Sequence, residues 1–180
     1  LKTFCETHYA EDKNDLANVF LERCLELARE QGAGVVQIVM PQNWLFLTSY
    51  RKQRERLLRE VTWNLIALLG PKGFQTPMWD FNVQLLTQTR GPVAEGFELR
   101  GVEASGPRSA GEKAEVLRGD VLASVSQAEQ LTKPDTRVAL ESSSAGDLLD
   151  IFSSNHQGLS TGDNPRFRRQ HWEVESFGSS

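Results

Sequence analysis

Apolar positions in the first half of the chain follow two alternating rhythms. Leu16, Val19, Phe20, Cys24, Leu27 and Ala28 recur at spacings of three, four and eight, with Asn18, Glu22, Arg23, Glu26, Arg29 and Glu30 between them. That period predicts an amphipathic helix over 15–31 with the apolar set facing inward. Asn14 or Asp15 can accept from the orphan N–H groups of its first turn, and Gly32 can supply a left-handed residue past its end. The run Val35, Val36, Gln37, Ile38, Val39, Met40 is nearly continuous and β-branched. It predicts a central parallel strand, covered on both faces and ended by Pro41. A second helix is expected from Thr48 or Ser49 to about Arg59, with Tyr50, Leu57, Leu58 and Val61 inward, followed by a buried strand over 63–69. After a loop rich in Gly, Pro and aromatics, residues 80–90 alternate Phe81, Val83 and Leu85 with Asn82 and Gln84, the period of a third strand. Helices alternating with buried strands predict an α/β fold with a doubly wound sheet. Two helices leave part of such a sheet uncovered, so the complementary half is expected upstream or in another chain.

Composition changes the picture past residue 91. Large apolar side chains fill half of residues 35–69 but only about a quarter of residues 91–150, which contain no Ile, Trp, Tyr or Met. We expect a boundary there, between a core-building part, 1–90, and a polar α+β part, 91–180, with helices near 112–118 and 145–152. The 180 residues carry a net charge of −4, so the whole chain is not an electrostatic trap for nucleic acid and DNA contacts must come from local patches. Cys5 and Cys24 have no metal-ligand spacing and read as free thiols. His8, His156 and His171 lie far apart, giving neither a metal site nor a nucleophilic triad. No apolar run approaches the ~18 residues of a membrane span, so no membrane partner is expected and the protein reads as cytoplasmic. The first residue is Leu1 rather than Met, which reads as a fragment.

The run DLANVFLERCLELAREQGAGVVQIVMPQNWLFLTSYRKQRERLL, then LIALLGPKGFQ and the strand FNVQLLTQTR, resembles the second half of an adenine-specific DNA methyltransferase catalytic domain. The likeness is to the large methyltransferases of phage-exclusion (BREX) systems and to related fused restriction-modification enzymes. The later GLSTGDNPRFRRQHWEV is similar to the segment with which their target-recognition region begins. The two matches cover about 14–90 and 158–174. The resemblance implies a partial Rossmann-like methyltransferase sheet, S-adenosylmethionine as methyl donor, the amino group of a flipped adenine in double-stranded DNA as acceptor, and other subunits of a defence system as partners. Such enzymes carry a glycine-rich cofactor loop and an Asn-Pro-Pro-Tyr motif before the segment corresponding to Asp15. Neither is present here, so the chain alone is expected to be inactive.

The resemblance also assigns residues. Phe20 corresponds to a helix phenylalanine near the cofactor's adenine, and its place on the apolar stripe equally suits helix core. Asp15, at the same helix start, is a cofactor contact or a cap. Phe74 follows Leu69-Gly70, where the family carries an aromatic that stacks on the extruded base; flipping needs a π face to replace lost stacking, although a core role is the alternative and Trp79 and Phe81 are near enough to compete. Asn164, Arg166, Arg168 and Arg169, beside Phe167, His171 and Trp172, suit phosphate contact or base-edge readout, or a turn with surface arginines. Arg51, Lys52, Arg54, Arg56 and Arg59, diluted by Glu55 and Glu60, read as a solvated helix face rather than a phosphate contact. Two further readings stay open: a non-catalytic DNA-recognition or scaffold module derived from such an enzyme, and a fused restriction enzyme.

Overall fold

In the computed structural model, residues 1–28, 34–75, 81–119 and 121–141 are described, and all of them belong to one compact unit, Leu1–Ser143. Helices α1 (Lys2–His8) and α2 (Leu16–Leu27) precede strand β1 (Val35–Pro41). Two short 3-10 turns lead into α3 (Arg51–Glu60), then β2 (Val61–Gly70) and β3 (Val83–Arg90). Beyond these come β4 (Glu98–Glu103), α4 (Ala110–Gly119), β5 (Ala123–Ser126) and the single turn α5 (Gln127–Gln130). The fold is mixed α/β, with one five-stranded sheet in the order β1-β3-β2-β4-β5.

The sheet corrects two expectations. β1 is neither central nor parallel: it lies at one end of the sheet and pairs antiparallel with β3 alone, Val36 opposite Gln88 and Pro41 opposite Val83. β3 is also antiparallel to β2, and the parallel pair is β2 with β4. A continuous apolar run does not distinguish a strand already covered on both faces from one whose second face awaits cover, and in β1 Val35, Gln37 and Val39 point to the uncovered face. Nor does the sheet stop at the composition shift near residue 91, because β4 and β5 extend it.

The facing of α2 is a third correction. Asp15 caps the helix as expected, accepting from Ala17 N at 2.9 Å. The buried side, however, carries Asn18, Val19, Leu21, Glu22 and Leu25, while Leu16, Phe20, Cys24 and Leu27 face out. The cause is polar pairing with α3. Asn18 Nδ2 donates to Gln53 Oε1 at 2.6 Å, Gln53 Nε2 donates to Glu22 Oε1 at 3.0 Å, and Arg56 lies 2.9 Å from the same Glu22 oxygen. These hydrogen bonds satisfy the buried polar groups of α2 beside the apolar contacts of Leu21 and Leu25. Beneath it, Leu21, Leu25, Met40, Leu57, Leu58, Ile66, Leu86 and Leu99 form the main core with Trp44 and Trp63, whose rings are 5.5 Å apart.

The basic cluster on α3 is not a solvated face throughout. Arg54 is fully buried and donates to the carbonyls of Trp44, Leu47 (2.7 Å), Asp135 (2.7 Å) and Thr136 (3.0 Å). Burial lowers its guanidinium pKa to about 10. Its planar fork ties the turn after β1 to the segment after α5. Arg56 is held by Glu11 and Glu22, and Arg59 by Glu55 at 2.8 Å. Among the described residues, no helix is long and apolar enough to cross a membrane.

Candidate functional site

Two features of β2 shape the region around Phe74. The β2–β3 register advances by two residues against one between Leu68 and Gly70, a bulge that bends the strand end and re-aims the chain beyond it. Gly70 then turns with φ 62°, and Lys72 with φ 58°, so the chain doubles back at the carboxyl end of β2. A side chain at Gly73 would press on Val83 Cγ2 at 2.7 Å, which seats this turn against the start of β3.

The turn delivers Phe74, 43% exposed, to the rim of an apolar cavity of about 620 Å³. Val39, Met40 and Pro41 from the carboxyl end of β1 line it, with Phe74, Gln75, Phe81 and Val83. Phe81 is 56% exposed. Cavities of roughly 300–1,000 Å³ hold small ligands, and α/β sheets bind ligands outside strand carboxyl ends. Two aromatic rings beside aliphatic walls suit a flat apolar face, and Gln75 offers an amide. The register that sets Pro41 opposite Val83 brings Val39 and Pro41 to the cavity of Phe74 and Phe81, a closeness that sequence spacing alone does not give. Trp79, the third aromatic weighed for this role, lies outside the described residues.

Phe20 is 62% exposed, on the outer face of α2 with Leu16 and Leu27. Within this unit the ring is not part of the core. The ring is accessible among aliphatic side chains, little more than one turn from the capped helix start. Asp15 uses one carboxylate oxygen for the cap and is half-buried. Asn164, Arg166, Arg168 and Arg169 lie outside the described residues. Among the described residues, no three His, Cys, Asp or Glu side chains form a metal-binding group.

Sequence reasoning missed Lys113. It is 2% exposed, in the middle of α4, and its Nζ donates to the carbonyls of Leu69 (2.6 Å), Ala104 (2.9 Å) and Ser105 (3.3 Å). Burial pushes its pKa below the usual lysine range, opposed by Glu103 and Glu112. Its only sequence signal is a position three residues before Val116, on the face that packs over β2 and β4.

No protein-family model matches the chain. Over 74 residues it is 35% identical to the adenine-specific methyltransferase BrxX of Escherichia coli O9:H4 (strain HS), covering 41% of this chain. Over 77 residues it is 34% identical to the adenine-specific methyltransferase PglX of Lacticaseibacillus casei (strain Zhang), covering 42% of this chain. In both cases the chain spans 6% of the length of the curated relative. Among solved structures, a chain of a type I R-M system shares the fold, with a TM-score of 0.53 at 15% identity over 74% of this chain and 34% of that one. By sequence, over two fifths of its length, the chain is a relative of the BrxX and PglX adenine-specific methyltransferases.

Proposed function

We propose that the chain is the C-terminal half of the catalytic domain of a site-specific adenine DNA methyltransferase, acting in phage defence or restriction-modification. In this reading the five-stranded sheet, β4 and β5 included, belongs to a Rossmann-like catalytic fold, and the chain beyond it leads into target recognition. The observation that carries it is the exposed Phe74 on an apolar cavity at strand carboxyl ends, in a relative of adenine-specific methyltransferases. The open edge and uncovered face of β1 support the expectation that further polypeptide completes the sheet.

Extruding a base from duplex DNA costs a few kcal/mol of pairing and stacking. Phe74 and Phe81 would return part of this by stacking, worth about 1–3 kcal/mol per base, while Val39 and Pro41 exclude water. Gln75, which lines the same cavity, would meet a polar edge of the base. Phe20 would hold the adenine of S-adenosylmethionine, and Asp15 would fix the start of its helix. When bound, S-adenosylmethionine supplies a methyl group already activated on a sulfonium. The work left to the chain is therefore to orient the base and keep the site dry. Asn164, Arg166, Arg168 and Arg169 would contact double-stranded DNA, and other defence-system subunits would be partners.

The test is transfer of radiolabelled methyl groups from S-adenosylmethionine to DNA by the full-length protein, with the product identified as N6-methyladenine. Phe74→Ala should lower turnover on the order of tenfold or more and leave S-adenosylmethionine affinity unchanged. Salt-dependent DNA binding without any methyl transfer would replace this reading with the non-catalytic recognition module.

A further inference from the structure

We propose that Lys113 is a positioning residue for the aromatic turn: its ammonium group holds the bulged end of β2 against the end of β4 and so fixes the turn that presents Phe74. The inference rests on the reading of Phe74 as the residue that stacks on the extruded base. It adds a requirement on α4, which lies in the polar stretch beyond residue 91.

The parallel pairing of β2 with β4 runs from Leu65 opposite Arg100 to Leu68 opposite Glu103, and Ala104 N then donates to Leu68 O at 2.8 Å. Past that point the two strands end, and the bulge sets Leu69 out of register with β3. The carbonyls of Leu69, Ala104 and Ser105 converge there, and the three N–H donors of Lys113 meet all three. Burying an ammonium is costly, and an apolar side chain would pack over the neighbouring Ala67, Leu69 and Val102 without that cost. What only the ammonium supplies is three donors at one point, joining two backbone segments that no longer share a ladder.

The same junction is closed from the other side. A Cβ on Gly70 would lie 2.5 Å from Ser105 Cβ, so the two segments touch without room for a side chain. Gly73 is seated on Val83 in turn. Residues 69–73 are thus held by Lys113, by Ser105 and by Val83, and Phe74 is the next residue. A shift of 1 Å at a reacting centre costs on the order of a hundredfold in rate, so a loosened turn should appear in turnover before it appears in cofactor binding.

The experiment is made on the full-length protein with Lys113→Met, which keeps the stem and removes the donors. The expected result is a ten- to hundredfold fall in kcat for adenine methylation, with S-adenosylmethionine affinity unchanged. Amide exchange should quicken over 70–75, and α2 and α3 should keep their protection. Wild-type kcat in this variant, or exchange raised evenly across the sheet, would overturn the positioning role. If Lys113→Met does not fold, Lys113→Gln, which keeps a polar end but at most two donors, is judged by the same two readouts. Normal turnover in Phe74→Ala removes the base-stacking reading itself, and the exchange pattern at 70–75 still decides whether Lys113 holds the turn. Slow Phe74→Ala with unaltered Lys113→Met removes only the Lys113 inference.

Discussion

The two faces of the sheet are finished differently. One is sealed by α2 and α3: Val36 and Met40 of β1, Trp63 and Ile66 of β2, Leu86 of β3 and Leu99 of β4 are all buried beneath them. On the other face α4 packs through Val116 over Ala67, Leu69, Val83, Val102 and Ala104, while Val35 and Val39 of β1 stay half exposed. Exposed apolar surface also gathers on the outer side of α2 and around Phe74 and Phe81. Contiguous apolar surface of this kind marks places where something else binds. The sealed face accounts for stability; the open face and the cavity beside it are where function is sought.

This contrast can be broken by substitution, most forcefully at Arg54. Arg54→Met leaves four backbone carbonyls without their shared donor and should cost roughly 3–5 kcal/mol in chemical denaturation. A loss below about 1 kcal/mol would mean that the clamp between the turn after β1 and the segment after α5 is not part of the sealed core. Next, two neighbours on α2 should behave in opposite ways. Leu21→Ala, on the buried side, should cost about 2–5 kcal/mol, whereas Phe20→Ala should change stability by no more than about 0.5 kcal/mol. Comparable losses at both positions would overturn the assigned facing of this helix.

A smaller effect is expected at Asp12, buried beside Glu22 and Arg56. Desolvation first, then the charge of Glu22, raise its carboxyl to about 7, against the attraction of Arg56. A folded-state value above the unfolded one stabilises fully below the unfolded pKa and is lost as pH rises through the folded one. Its contribution should therefore fall between about pH 4 and pH 7. Asp12→Asn should raise stability at pH 8 by on the order of 1–2 kcal/mol, and leave it nearly unchanged at about pH 4. An equal effect at both pH values would show that Asp12 does not titrate in this window. Smallest is Gln88→Met: both side-chain polar atoms of Gln88 are buried without partners, so the substitution should be neutral or stabilising by about 1 kcal/mol in the same denaturation assay.

The same contrast separates what the sequence displayed from what it hid. The helix ending at Glu60 and the strands at 61–70 and 83–90 were legible because their apolar positions recur regularly, Leu57, Leu58 and Ile66 on the sealed face and Val83 and Leu85 on the face under α4. The facing of α2 was not, because Asn18 and Glu22 are buried beside Val19, Leu21 and Leu25 and satisfied by Gln53 and Arg56 on α3, while Leu16, Phe20 and Leu27 of the apolar stripe face out. In the stretch beyond residue 91, polar residues do core work that composition conceals. Gln127, fully buried, accepts from Trp63 N at 2.9 Å beside the first β2 bulge and donates to the carbonyls of Leu58 and Val61. Lys113 does the same at the second bulge. Bulges free backbone groups that apolar residues cannot satisfy, and no periodicity announces where they fall. For the candidate site, Phe74 stood out through the family resemblance, which places an aromatic after Leu69-Gly70. Its cavity partners Val39 and Pro41 depended on the antiparallel register of β1 with β3.

The most direct test of the central claim asks whether the extruded base reaches Phe74. DNA carrying 5-iodouracil in place of the target adenine, bound to the full-length protein and irradiated, should cross-link to the peptide containing Phe74. Phe74→Ala should abolish that adduct while leaving DNA affinity within about twofold, since backbone contacts dominate affinity. A cross-link mapped elsewhere, or one that survives Phe74→Ala unchanged, would contradict the account.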